Sequence, residues 1–192
     1  MIAIAVLSSG APKKHPGMKI EIWFQDEMRA GLKGTIANIW GEKGSRPVVP
    51  QQQEFEWAYT FGAVCPAFGE AVAIVVPYAD TEAMNMHLRE ISNGIRKETH
   101  AIVVLDKVSW HTTKKLKIPE NLTLFPLPSY SPQLNPAEHL WKWMRRHHLS
   151  NRIYRGYEDI VDSCCKAWRD LIADKERLRS MCWFSWIKEA EI

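Results

Sequence analysis

Apolar and polar residues alternate from Lys19 to Gln25 (KIEIWFQ), which predicts a half-buried strand ending at Asp26. Ile36–Trp40 is a short extended candidate closed by Gly41 and Gly44. Two apolar runs, Trp57–Cys65 and Glu70–Pro77, flank Pro66–Gly69 and predict an antiparallel hairpin. A helix is predicted to begin at Asp80, with Glu82 and Ala83 early and Met84, Leu88, Ile91 and Ile95 on one stripe. Ala101–Leu105 (AIVVL) is a continuous apolar run ending at Asp106, the pattern of a central strand covered on both faces. Leu122–Leu127 reads as another strand, followed by the proline-rich Pro128–Pro136. From about Pro136 to His148 the spacing is helical, and Tyr157–Ala173 and Lys175–Trp186 are further amphipathic helices.

Hairpin, helix, strand, strand and then helices is the order of an α/β fold with a mixed sheet flanked by helices. Asp26 and Asp106 would sit at the carboxyl ends of neighbouring strands, where open α/β sheets place their chemistry. With 192 residues the chain suffices for one compact domain plus appended helices. No run approaches the roughly 18–20 apolar residues of a membrane span. Met1–Ser9 is mildly apolar but lacks a basic stretch before it, so it reads as a strand or irregular terminus rather than a signal peptide. Cys65, Cys164, Cys165 and Cys182 show no CxxC spacing, which suits buried reduced thiols and a reducing cytoplasm.

Charge changes the picture through its distribution. Residues 1–106 carry 10 Lys/Arg and 12 Asp/Glu, whereas residues 107–155 carry 9 Lys/Arg and only Glu120 and Glu138. A block of +7 fits an anionic partner such as nucleic acid, and equally an ordinary solvated surface. Its candidate phosphate contacts are Lys107, Lys114, Lys115, Lys142, Arg145 and Arg146.

Phosphodiester chemistry with two divalent ions about 3.5–4 Å apart needs carboxylates contributed by separate elements. Asp26, Asp106 and Glu138 meet that need by position: two strand ends and the first turn of a helix. Each also has a plain structural reading. Asp26 could open a polar loop, and Asp106 could cap the turn after its strand. In Asn135-Pro136-Ala137-Glu138, Asn is a good N-cap, Pro suits the first helical position, and Glu can bond back to the cap. Spacing alone does not choose between these. Nucleophile-elbow, HExxH, P-loop and GxGxxG motifs are absent. His111, His147 and His148 have no partners at zinc spacing, and Trp141 and Trp143 read as packing residues.

Three segments together resemble the catalytic domain of bacterial insertion-sequence transposases of the mariner-like superfamily, the DDE superfamily endonucleases. They are Trp23–Glu27 with Gly31–Gly34 and Trp40 to Pro47; Val103–Asp106 with Trp110-His111-Thr112; and Leu127–Trp141. The resemblance implies an RNase H-like fold over about residues 15–192, with 1–14 as an irregular N-terminal segment. It also implies that Asp26, Asp106 and Glu138 hold two Mg²⁺ (or Mn²⁺) ions for DNA cleavage and strand transfer. The implied partners are double-stranded DNA, as transposon ends and target, and a second copy of the chain on that DNA. Lys107 departs from the pattern, standing where an amide is usual. The family's end-recognising helix-turn-helix has no counterpart in Met1–Lys14. An upstream-frame DNA-binding partner, or a truncated, non-catalytic remnant that binds DNA or dimerises with a full-length protein, would each account for that. An RNase H acting on RNA–DNA hybrids is a weaker alternative, opposed by the Pro128–Trp141 segment.

Overall fold

The computed structural model describes residues 17–32, 38, 40–45, 48, 52, 55–108, 111, 113–128, 132–184 and 187. The N-terminal segment 1–14, most of the Ile36–Trp40 candidate, Trp110, Thr112, residues 129–131 and Trp186 lie outside them. Five strands form one sheet: β1 (Lys19–Gly31), β2 (Trp57–Cys65), β3 (Glu70–Val76), β4 (Thr99–Leu105) and β5 (Leu122–Pro126), in the order β3-β2-β1-β4-β5. Helix α1 (Thr81–Gly94) lies between β3 and β4. After β5 come α2 (Ala137–Met144), a π-helical turn (Arg145–Leu149), α3 (Tyr157–Ile172) and α4 (Lys175–Cys182).

β1, β2 and β3 are antiparallel, while β1, β4 and β5 are parallel, so β1 is the strand where the sheet changes character. The predicted hairpin forms, and Gly69 takes a positive φ of 61° in its turn, a conformation that glycine adopts without strain. Every residue of β4 is buried, as its unbroken apolar run requires. Asp80 caps α1 by accepting from the Ala83 N–H at 2.9 Å, and Met84, Leu88 and Ile91 are buried on its inner face. That face packs with Trp23, Phe61, Val103 and Leu105 on one side of the sheet. The other side carries Phe24, Met28, Ile102 and Val104, covered by residues of α2, α3 and α4 such as Leu140, Trp141, Cys164 and Leu178.

Two expectations need correction. β1 does not end at Asp26 but runs on to Gly31. Its parallel pairing with β4 stops at Phe24↔Val104, whereas β2 still pairs with it from Phe24↔Val64 to Gly31↔Trp57. Met28 and Ala30 continue the buried face, so Asp26 is an inward polar residue inside a strand. The last helix closes at Cys182, because Trp183 is already extended at ψ 117°. Among the described residues no helix is long and apolar enough to cross a membrane, and all four cysteines are free.

Candidate active site

The place where β1 leaves β4 creates the site. Carried two residues past Phe24↔Val104, the parallel register sets Asp26 level with Asp106, the first residue after β4. Side chains alternate along a strand, so Asp26 follows Phe24 onto the face covered by α2, while Glu27 follows Trp23 onto the opposite face.

Helix α2 reaches Asp26 through three features of its sequence. Asn135 donates from Nδ2 to the Gln25 carbonyl at 2.8 Å and accepts the Ala137 N–H on Oδ1 at 3.1 Å. It does not occupy the cap position that its residue type predicts, which falls to Pro136, but it closes the turn leading into the helix and ties the helix start to β1 beside Asp26. Trp141, one turn into α2, donates its indole N–H to Asp26 Oδ2 at 2.8 Å. Gly62, the β2 partner of Asp26, leaves room for that ring: a Cβ there would collide with the Trp141 indole and crowd Trp168 at 3.3 Å.

This setting makes Asp26 a reluctant anion. Burial, then the negative charges of Glu138 and Glu27, push its carboxyl up to about 7, although the Trp141 N–H and a backbone N–H favour the charged form. Glu138 is therefore brought close enough to repel Asp26, from the first turn of α2.

Asp106 is held differently. Its half-exposed carboxylate accepts from His111 Nδ1 at 2.9 Å, with a longer contact of 3.4 Å from the Val108 N–H. The His111 bond leads the influences that lower its pKa, outweighing partial burial. His111 is buried, and its other nitrogen lies 2.7 Å from Glu27 Oε1. Burial opposes charge on this imidazole, yet hydrogen bonds to Asp106 and Glu27 and the Glu27 charge raise it to about 9. Glu27 accepts also from Gln25 Nε2 at 3.2 Å. Ligand-type atoms of Glu27, Asp106 and His111 all lie within 4.8 Å of one another.

Thus Asp26 is gathered with Glu138, and Asp106 with His111 and Glu27. Sequence reasoning missed Glu27 and His111 because a histidine without zinc-spaced partners carries no signal of its carboxylate neighbours. It also read Trp141 as packing, which its burial bears out, but not the hydrogen bond it makes. Of the basic candidates, Lys107, Lys114, Lys115, Lys142 and Arg146 are exposed and Arg145 is half-buried. Lys107 enters no ion pair among the described residues.

The donor chemistry suits a hard divalent cation. All three predicted ligands are carboxylates, and the repulsion that raises Asp26 is what such a cation would relieve.

Comparison with known proteins supplies the context. The family model of the DDE superfamily endonuclease matches residues 21–161. The uncharacterized protein y4pE/y4sA of Sinorhizobium fredii (strain NBRC 101917 / NGR234) is 48% identical over 130 residues, covering 68% of this chain and 96% of that protein. The mariner Mos1 paired-end complex with Mn superposes with a TM-score of 0.65 at 15% identity, covering 98% of this chain and 57% of the Mos1 chain. The isolated catalytic domain of Mos1 mariner transposase aligns with a TM-score of 0.51 at 13% identity, covering 99% and 91%. The mixed five-stranded sheet flanked by helices is thus the RNase H-like fold of that catalytic domain, and the chain spans little more than half of the longer Mos1 protein.

Proposed function

Because the chain belongs to the DDE superfamily endonucleases, we propose that it is the catalytic domain of a cut-and-paste DNA transposase, with Asp26, Asp106 and Glu138 as ligands of divalent cations. The observation that carries this reading is a half-buried Asp26 whose carboxyl is pushed up by burial and by the charge of Glu138, at the level where Asp106 leaves β4. Acids kept close at a cost to stability are a mark of a functional site. Bound there, two Mg²⁺ or Mn²⁺ ions would activate the attacking oxygen and stabilise the leaving one.

The protein's own part is placement. Asn135 and Trp141 fix α2 against β1, so the helix that carries Glu138 is held beside Asp26 before any cation binds. Lys107, Lys114 and Lys115 lie on the segment that follows Asp106, Lys142 on the helix that carries Glu138, and Arg145 and Arg146 on the π-helical turn after it. Phosphates of double-stranded DNA, transposon ends and target alike, would sit across these cations. Two copies would act together on paired ends, as in the Mos1 paired-end complex, and end recognition would fall to an upstream-frame DNA-binding partner.

The test is cleavage of a duplex carrying the element's own ends, with Mg²⁺ or Mn²⁺ and with EDTA, by the wild type and by Asp26→Asn, Asp106→Asn and Glu138→Gln. Metal-dependent nicking at the element boundary, lost in all three variants, is the expected result. DNA binding without cleavage, unchanged by any variant, would favour the non-catalytic remnant instead.

A further inference from the structure

Resting on the reading of Asp106 as a cation ligand, we propose that Glu27 and His111 are positioning residues that orient the Asp106 carboxylate from the opposite face of β1. Asp106 lies just past β4 and half exposed, so its side chain needs an external hold. His111 gives it one at 2.9 Å, and Glu27 fixes the far side of the same buried imidazole at 2.7 Å. Glu27 stands on β1 where β2 still pairs with it, opposite Phe61, and Gln25 on the same strand donates to it. The relay therefore ties a loop residue to the most central strand of the sheet.

Two details favour positioning over direct ligation by His111. Both ring nitrogens of the buried imidazole already have partners, Nδ1 at the Asp106 carboxylate and backbone carbonyl and Nε2 at Glu27, so ligating a cation would cost His111 a hydrogen bond. The contacts from His111 and Val108 both fall on Oδ1 of Asp106, which leaves Oδ2 for a cation. Hydrogen-bonded partners of metal ligands commonly contribute about 10–100-fold in affinity.

The experiment is Mn²⁺ titration of the full chain without DNA, read from the free-ion electron paramagnetic resonance signal, with pulsed measurements of nitrogen coupling on the bound ion. His111→Phe should weaken Mn²⁺ binding by about tenfold or more. His111→Gln, which can still donate to Asp106, should recover part of that loss, and Glu27→Gln should fall between. Adding Glu27→Gln to His111→Phe should cost nothing further, since Glu27 acts through the imidazole. No ¹⁴N coupling from a histidine should appear on the wild-type ion. If His111→Phe does not fold, Glu27→Gln and His111→Gln carry the comparison. Binding by both within twofold of wild type, while Asp106→Asn has lost it, would overturn the relay and leave the cation site standing. Histidine ¹⁴N coupling would overturn it in favour of direct ligation. Wild-type binding by Asp106→Asn would remove both the relay and the site it serves.

Discussion

Asp26 sets the cost of the site in a single residue. Its carboxyl titrates at about 7 in the fold, above its ordinary 3.8. The folded state therefore holds this proton more tightly than the unfolded chain, and stability falls as pH rises from about 4 to about 7. Three units correspond to as much as about 4 kcal/mol at 1.36 kcal/mol per unit. Asp26→Asn removes the charge and keeps an acceptor for Trp141. In EDTA at pH 8 its melting temperature should exceed wild type by several degrees, at about 2–4 °C per kcal/mol. Near pH 4.5 the difference should shrink to about a quarter of that; an equal gain at both pH values would show that ionisation is not the cause. His111 adds in the same direction on the alkaline side. Its pKa is raised to about 9, so the stability it lends is complete below about 6.5 and lost as pH climbs through 9. Without metal, the wild type should melt higher at pH 6 than at pH 9. Asp106 works the other way: its lowered pKa lends stability above the ordinary carboxylate range, lost on acidification.

Between elements, the joint of α2 with β1 decides whether the acids meet. Asn135→Ala would strip the Gln25 carbonyl and the Ala137 N–H of a buried partner, a loss of about 1–3 kcal/mol. Urea denaturation should report that loss, and Mn²⁺ affinity should fall with it because Glu138 sits three residues along. Gly62→Ala presses on the same joint from β2, driving a methyl into the Trp141 ring. Overpacking of this kind costs about 1–3 kcal/mol. A variant as stable as wild type, with Mn²⁺ affinity unchanged, would mean the indole has room to move. The elements themselves were legible in the sequence, since the hairpin, α1, β4, β5 and the start of α2 all follow from apolar periodicity and capping. The passage of β1 through Asp26 was not. An acid at an inward position breaks the alternation that marks a strand, and only pairing with β2 keeps the strand going. Nor could spacing show that the Asn135 side chain also reaches Gln25 across 110 residues, or that Gly62 is a glycine because of Trp141.

At the scale of the whole molecule, charge and fold combine into a testable polarity. Residues 107–155 hold 9 Lys/Arg against two acids; the block begins after Asp106 at the carboxyl end of β4, passes beside α1 at Lys115 and Lys117, and continues through α2 and the π-helical turn. Cations in the segments that follow Asp106 and Glu138 suit a polyanion whose backbone must approach carboxylates, because they offset the repulsion the acids impose. Such contacts release counterions and read no bases, so affinity should fall steeply with salt and vary little with sequence. If Lys107, Lys114, Lys115, Lys142 and Arg146 each meet a phosphate, log Kd against log salt should have a slope of about 4–5, at roughly 0.9 per contact. Half-buried Arg145 should add less. Replacing Lys114 and Lys115 together by Gln should then reduce the slope by about two, while replacing Lys166 and Lys175 on α3 and α4 should leave it unchanged. Fluorescence anisotropy on a short duplex from 50 to 200 mM salt, in EDTA so that cations at the acids play no part, would measure this. A slope indifferent to Lys114 and Lys115 would place the DNA on another face. Binding that depends on the terminal sequence of the element would show that this chain reads DNA itself, without an upstream partner.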